Sequence, residues 1–268
     1  MWLTVLPSMK RLQDLGGLLE NTEQALRIEP VRHFPDLLMV EQSGHEDLDG
    51  AFKPLEDVAD IYYGLADAYR LSGKFEQAYI YGKMALRLYE KRSLRYWEGR
   101  MHNVLGRICF QMGQSQDAGD HYMEALSAAT LDNTPGMMML NFAALADLRL
   151  AEGRLEEAKR FCQRAQEVGE HVNDDHLRGL MCLVYGKVAY AETEQTQGEQ
   201  RQKLLEEAIR WFENAKEQLS LTQASTNLAE VYGRLAQAYE ELGRHQEAVE
   251  HWKAAYNLLT ENKSTWWY

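Results

Sequence analysis

Apolar and small side chains recur along the chain with helical spacing. In the stretches YYGLADAYRLSG and YGRLAQAYEELG, tyrosine, leucine and alanine stand at i, i+3, i+4 and i+7, which places them on one face of an α-helix. A glycine closes each stretch, and a second run follows in which alanines such as Ala78 and Ala85 mark one face. Glycine supplies the left-handed turn that reverses a chain between two helices. The pattern therefore predicts a helical hairpin.

The hairpin pattern recurs at a regular interval. Gly73, Gly113 and Gly153 are 40 residues apart, and Gly243 follows after a further 90. One alanine of the second helix keeps the same steps in every unit, at Ala78, Ala118, Ala158, Ala208 and Ala248. These steps define five units, of which the fourth is ten residues longer. A single hairpin cannot bury both of its apolar faces, so the units are expected to stack into an array.

These motifs resemble the tetratricopeptide repeat. In that repeat a large residue, Leu-Gly or Leu-Ala and a tyrosine precede a turn glycine, and alanine, an aromatic residue and alanine follow it; VLGRICFQMGQSQDAGDHYMEAL (residues 104–126) is close to this pattern. The resemblance covers about residues 59–259 and implies an all-α fold, an α-solenoid in which five helical hairpins form a right-handed superhelix. The usual period is about 34 residues. The longer period here implies longer helices or linkers. This variant of the repeat resembles sensor regions of bacterial transcription regulators and some eukaryotic adaptor proteins.

The parts of the chain outside the regular units differ in composition. Residues 1–30 are interpreted as a degenerate half-repeat, because LENTEQALRIEP ends like a second helix without a clear first helix before it. Residues 31–53 are interpreted as a linker, because VRHFPDLLMVEQSGHEDLDGAFKP holds two prolines, two glycines and many acids. The repeat array is assigned to residues 54–260. In its fourth unit, AETEQTQGEQRQKLL predicts that both helices extend by about a turn, giving a protruding hairpin near residues 192–203.

The segment 261–268 forms a tail that is rich in aromatic residues: Trp266, Trp267 and Tyr268. The last helix of an array has no following neighbour, so one apolar flank stays uncovered unless something caps it. Aromatic side chains bury about 150–250 Å² each. The tail is expected either to fold back near Trp252 and Tyr256 or to dock into a second copy and form a homodimer, and a frayed tail remains an alternative.

The charge balance narrows the classes of partner. The chain has 41 acidic and 29 basic residues, for a net charge of −12. Such a surface repels phosphate backbones and anionic lipid, so neither direct nucleic-acid binding nor membrane association is expected. No apolar run approaches the roughly 20 residues needed to span a bilayer, and MWLTVLP lacks the features of a secretory signal. A cytoplasmic protein is expected.

The sequence contains no catalytic motif and no cofactor-binding motif, which predicts a protein that is not an enzyme. In EHVNDDHL, the side chains of His171, Asp174, Asp175 and His176 crowd one linker, and helix capping is favoured there over metal binding. The three cysteines, Cys109, Cys162 and Cys182, fall at core positions of the repeat. They are expected to pack as small apolar side chains in a reducing compartment.

The resemblance implies that the first helix of each unit lines a concave groove. One row of residues on these first helices alternates in charge along the array and consists of Asp67, Arg107, Asp147, Lys187 and Gln237. A ladder of ion pairs between neighbouring helices is favoured over ligand contact for this row. Units one and two present polar residues, whereas units three and four present leucines, which are either an open apolar stripe or part of the core. The candidate groove residues are Tyr63, Arg70, Arg100, Asn103, Arg107, Leu140, Leu183, Lys187 and Tyr190.

The favoured function is that of a non-enzymatic module that binds a protein or peptide in this groove, as an adaptor or scaffold. Asn103 would bond to the main chain of the ligand, Arg100 and Arg107 would meet a carboxylate, and the leucines would take apolar side chains. A second hypothesis is a ligand-sensing domain of a transcription regulator whose DNA-binding part is absent from this chain. A third, an enzyme or enzyme regulator that uses the fourth-unit hairpin or the acidic linker, has no motif in its favour.

Overall fold

The computed structural model describes residues 52–222 and 225–264, with side chains for 58–222 and 226–260. Within these ranges the chain forms ten α-helices, one short 3-10 helix and no strand. The helices are α1 (Phe52–Leu71), α2 (Phe75–Lys91), α3 (Arg95–Gln111), α4 (Ser115–Leu131), α5 (Pro135–Ala151), α6 (Leu155–Gly169), α7 (Asp175–Glu192), α8 (Gly198–Ser220), α9 (Ser225–Glu241) and α10 (His245–Ser264).

Consecutive helices pack as antiparallel pairs. The pairs α1 and α2, α5 and α6, α7 and α8, and α9 and α10 are in contact, and α3 meets α4 where Gly106 lies against the ring of Tyr122. First helices also contact the first helix of the next pair, as in α1 and α3, α5 and α7, and α7 and α9. The predicted all-α fold of five helical hairpins is confirmed.

The turn glycines have the predicted left-handed backbone. Gly73, Gly113, Gly153 and Gly243 have φ angles between 73° and 76°. At the first of these turns the amide of Gly73 donates to the carbonyl of Arg70 at 3.1 Å, and the amide of Lys74 donates to the carbonyl of Tyr69 at 2.9 Å. Carbonyl groups at the end of the first helix are thereby satisfied, which ends the helix and reverses the chain.

The described residues fall into two compact units, 52–128 and 129–264. The core of the first unit contains Tyr62, Leu65, Tyr89, Leu105 and Ile108. A core cluster of the second unit contains Leu183, Phe212, Leu219, Val231 and Leu235. Each core lies between first and second helices, as expected for hairpins that stack through their apolar faces.

The extra residues of the fourth unit lengthen mainly one helix. The second helix, α8, has 23 residues, whereas the first helix, α7, has 18 and is followed by a 3-10 turn at Thr193–Gln195. The predicted extra turn of the first helix is therefore present as 3-10 helix and not as a continuation of α7. The extension is also anchored, because Arg201 forms an ion pair with Glu241 at the end of α9.

Several predictions concern residues outside the described ranges: the half-repeat at 1–30, nearly all of the linker at 31–53, and Trp266, Trp267 and Tyr268 of the tail. Helix α1 begins at Phe52, two residues before the assigned array, and α10 continues to Ser264. None of the helices in 52–222 and 225–264 is both long and apolar enough to cross a bilayer.

Candidate partner-binding site on the first helices of the N-terminal unit

Helices α1 and α3 place the polar candidate residues of the first unit together. Tyr63 and Arg70 stand on one face of α1, and Arg100 and Arg107 stand two turns apart on one face of α3. The guanidinium of Arg100 donates to the hydroxyl of Tyr63 across the two helices, at 3.4 Å. Asp67 lies within electrostatic reach of all three arginines. We call this set the α1/α3 arginine cluster: Tyr63, Asp67, Arg70, Arg100 and Arg107.

Arg70 is already neutralised within its own helix. Its Nε and Nη2 atoms both donate to Oδ1 of Asp67, at 2.9 and 2.7 Å, and its side chain is 5% exposed. Burial alone would raise the pKa of Asp67, but Arg70, Arg107 and Arg100 lower it on balance. Arg70 therefore serves the fold and the charge balance of the cluster, and it presents little surface to a partner.

Aromatic rings hold Arg100 in place. Its guanidinium carbon lies 5.1 Å from the ring centre of Trp97, 5.5 Å from that of Tyr63 and 5.9 Å from that of Tyr96. Such cation–π contacts stabilise the guanidinium without neutralising it. Burial raises the pKa of Tyr63, so this ring stays uncharged at neutral pH. Arg100 is therefore a positioned cation whose charge is not cancelled.

Arg107 has no hydrogen bond or ion pair to a described residue. Burial lowers its pKa, with Arg70 adding to the effect and Asp67 opposing it. The guanidinium donates no hydrogen bond and forms no ion pair with any residue of the described ranges. Part of the side chain nevertheless remains accessible to solvent. Arg107 is partly buried, reachable from solvent and without an ion pair or hydrogen bond among the described residues, so its guanidinium donors are free to contact an anion.

Asn103 lies between the two arginines along α3 but offers little surface. Its side chain is 4% exposed, and it interacts within the protein. Sequence reasoning missed two residues of the site, Tyr96 and Trp97. The i, i+4 spacing of Tyr96 and Arg100 on a helix is the signal that could have identified the first.

The second unit neutralises its own row of charges. Lys187 lies between two carboxylates, with its Nζ atom 3.1 Å from Asp147 and 2.6 Å from Glu230. Burial alone would lower the pKa of Lys187, but the two carboxylates raise it. The ladder of ion pairs favoured for this row is present across α5, α7 and α9, although Glu230 takes the place expected for Gln237.

Leu183 is not part of the open apolar stripe that was one of the two alternatives for the leucines of units three and four. Leu183 is 3% exposed and packs within the core of the second unit, so the core interpretation applies there. Leu140 is partly buried. Tyr190 donates its hydroxyl proton to Glu241, and burial, followed by Glu241, raises its pKa. These residues are engaged in packing and in internal hydrogen bonds.

The other candidate chemistry has structural explanations. Asp174 caps α7, because its Oδ1 atom accepts from the amide of Leu177 at 2.9 Å. In the described ranges no group of three or more His, Cys, Asp or Glu residues could hold a metal ion. Burial raises the pKa of Cys109 to about 11, of Cys162 to about 12 and of Cys182 to about 11. These thiols therefore stay protonated and unreactive at neutral pH.

Solved structures with low sequence identity share the fold. BtubC (BKLC) from P. vanneervenii matches with a TM-score of 0.55 at 14% identity, covering 95% of this chain and 92% of that one. A chain of the APC/C hetero-tetramer Cut9-Hcn1 matches with a TM-score of 0.57 at 18% identity, covering 95% and 45%. A Rap protein complexed with competence and sporulation factor matches with a TM-score of 0.54 at 12% identity, covering 94% and 86%.

Comparison by sequence assigns the family. No curated protein matches this chain. A family model described as tetratricopeptide repeat matches residues 57–130 and 197–261, which together make up more than half of the chain. These ranges include α2, α3, α8 and α9 in full, and the glycine turns and helix pairs follow the same repeat. The chain is a member of the tetratricopeptide repeat family.

Proposed function

We propose that this protein is a non-enzymatic module that binds a protein or peptide, as an adaptor or scaffold, through the α1/α3 arginine cluster. The observation that carries the proposal is Arg107, a partly buried but accessible guanidinium without an ion pair or hydrogen bond in the described ranges. An anionic group on a partner would supply the compensation that the fold does not.

The charge distribution supports an acidic partner segment. The whole chain carries a net charge of −12, yet three arginines surround one carboxylate in the cluster. A local positive surface on an acidic protein directs a negatively charged segment to this surface and disfavours binding elsewhere. Guanidinium groups suit this role because their planar donor pairs match carboxylate and phosphate oxygens.

The order of the cluster supports specific binding. Arg100 is held by three aromatic rings and by the hydroxyl of Tyr63. Little side-chain entropy is then lost when this guanidinium meets a ligand, which favours affinity. The exposed edge of Tyr96, which is 37% exposed, adds an aromatic surface beside the cation, a combination enriched in binding hot spots.

Proteins of similar fold act in complexes. The Cut9-Hcn1 structure is a hetero-tetramer, and the Rap structure holds competence and sporulation factor. These likenesses are of fold alone, so they support partner binding as the class of function and leave the partner to be identified by experiment.

Selection from a displayed peptide library tests the proposal. The wild-type chain should enrich peptides that contain acidic residues, and the double variant Arg100→Gln/Arg107→Gln should not enrich them. The matched control is Arg87→Gln/Arg160→Gln, which removes the same charge from exposed positions of α2 and α6 and should select the same peptides as the wild type. Selection of the same peptides by the cluster variant would overturn the proposal, provided that its melting curve matches that of the control.

A further inference from the structure

The charges within the α1/α3 arginine cluster do not balance. Arg70 and Asp67 cancel each other through two hydrogen bonds. Arg100 faces aromatic rings and the hydroxyl of Tyr63, and Arg107 has no partner in the described ranges. Among the described residues two positive charges therefore remain, on side chains that are partly buried, where electrostatic interactions are screened less than in bulk water.

We infer that the group bound between Arg100 and Arg107 is a dianionic phosphoryl group on the side chain of a partner protein. This inference rests on the proposed function and specifies the ligand of the same site. A carboxylate brings one negative charge and would leave one guanidinium uncompensated, whereas a phosphorylated serine, threonine or tyrosine carries about −1.5 to −2 at neutral pH.

The arrangement of donors also suits a tetrahedral group. Arg100 and Arg107 are seven residues apart on one face of α3, which corresponds to about 10 Å along a helix, so one ligand beside this face lies within reach of both long side chains. A phosphoryl group offers three strong acceptor oxygens, and two guanidinium groups can each bind it through paired N–H donors. A planar carboxylate matches one such donor pair.

A nucleic-acid phosphate does not satisfy the same argument. Each phosphodiester carries one negative charge, and binding a strand would bring many such charges against a chain with a net charge of −12. A single phosphorylated side chain places both negative charges at the cluster and keeps the rest of the partner free of repulsion. The ligand source is therefore a phosphorylated protein segment.

Two probes of matched shape test the inference by isothermal titration with the full chain. Phenyl phosphate is mainly a dianion at pH 7.5 and a monoanion at pH 5.0, whereas benzenesulfonate is a monoanion at both values. At pH 7.5 phenyl phosphate should bind about tenfold tighter, as expected for one additional partly buried charge interaction. At pH 5.0 this preference should disappear. Arg107→Gln should remove the preference, and Arg87→Gln, which is the matched exposed control, should keep it.

The possible results distinguish failure of the dianion inference from failure of the proposed anion-binding function. Equal affinity for both probes at pH 7.5, with binding lost in Arg107→Gln, would overturn the dianion inference and leave the proposed anion-binding function standing. A preference that persists in Arg107→Gln, or that is lost equally in Arg87→Gln, would overturn the inference because the cluster would not be its source. Absence of binding by either probe to the wild type at millimolar concentration would count against both.

Discussion

His102 on α3 and His121 on α4 lie ring against ring, with 2.9 Å between their Nδ1 atoms. One nitrogen must donate and the other accept, so the contact requires that at least one ring be neutral. Burial lowers the pKa of each histidine to about 4; Lys83 adds to this effect in both, and His102 does so for His121. The other groups that face the pair come from α2 and α4: Tyr79, Asp117 and Asp120.

The lowered pKa values predict a loss of stability in mild acid. The unfolded chain binds protons near the ordinary histidine pKa of 6.5, whereas the folded pair does so only near 4. The contribution of the two histidines to the free energy of unfolding is therefore complete above pH 6.5 and is lost progressively as the pH falls towards 4. The urea concentration at the unfolding midpoint should decrease as the pH is lowered from 6.5 to 5. This dependence on pH should be weaker in the double variant His102→Asn/His121→Asn. An identical slope in the double variant would show that other groups cause the loss.

The burial of Leu183 reverses what its substitution is expected to do. If Leu183 lined an open groove, Leu183→Asp would affect only binding. Because Leu183 is a core residue that is 3% exposed, the substitution should destabilise the fold by about 4 kcal/mol or more, since a carboxylate replaces packed methyl groups. Leu221→Asp, at a residue that is 69% exposed, should change the free energy of unfolding by about 0.5 kcal/mol or less. Urea unfolding of both variants measures the difference, and equal stability would contradict the assignment of Leu183 to the core.

The partner of each charged residue was only partly predictable from the sequence. The repeat register correctly predicted an ion pair between Lys187 and Asp147, because both lie at equivalent positions of neighbouring first helices. The same register did not predict that Arg107, unlike Lys187, has no ion pair with a described carboxylate. Asp67 has a closer partner in Arg70, three residues later on its own helix. This local pair leaves Arg107 without a hydrogen bond or ion pair to a described residue, although Asp67 still acts on it electrostatically. Competition of this kind depends on side-chain conformation, which the repeat register does not contain.

Helix pairs in this protein depend on close approach at particular positions. An added Cβ atom at Gly186 of α7 would lie 2.4 Å from the ring of Phe212 on α8, whereas one at Gly64 of α1 would meet nothing within 4 Å. Gly186→Ala should therefore destabilise the protein by about 1–3 kcal/mol, and Gly64→Ala should stabilise it by about 0.5–1 kcal/mol through helix propensity. Thermal unfolding of the pair tests this. A stabilising effect of Gly186→Ala would mean that α7 and α8 do not pack as described.

The sequence pattern did not predict where the first helix of the fourth unit ends. The polar stretch AETEQTQGEQ is compatible with helix throughout, so it led to the expectation that α7 continues. In the structure the hydroxyl of Thr193 donates to the carbonyl of Tyr190 at 2.6 Å, and the following residues form a 3-10 turn. Bonds from a threonine side chain to the backbone compete with helix continuation. Composition alone does not determine which of these two local arrangements forms.

Across residues 52–222 and 225–264, the repeat period predicted the number and order of the helices. Its glycines and alanines recur because each turn and each close helix contact is needed in every unit. The candidate binding site is not repeated in this way. The α1/α3 arginine cluster arises from substitutions on one face of two helices, so its recognition required the contacts of individual side chains.

The last helix carries an exposed apolar stripe. Val249, Trp252, Tyr256 and Leu259 of α10 are 49%, 40%, 67% and 50% exposed. Folding back of the aromatic tail and docking into a second copy therefore stay predictions for this stripe. Deleting residues 265–268 should lower the melting temperature of a monomer in the first case and halve the mass measured by light scattering in the second. An unchanged melting temperature and mass would support the frayed-tail alternative.

Hydrogen–deuterium exchange of the complex with a selected acidic peptide tests whether the peptide binds at the α1/α3 arginine cluster. Binding at the α1/α3 arginine cluster predicts slower exchange in residues 58–71 and 95–111, with α6 and α8 unchanged, and loss of this protection in Arg107→Gln. Protection confined to α5–α10, or protection of α1 and α3 that persists in Arg107→Gln, would contradict the account.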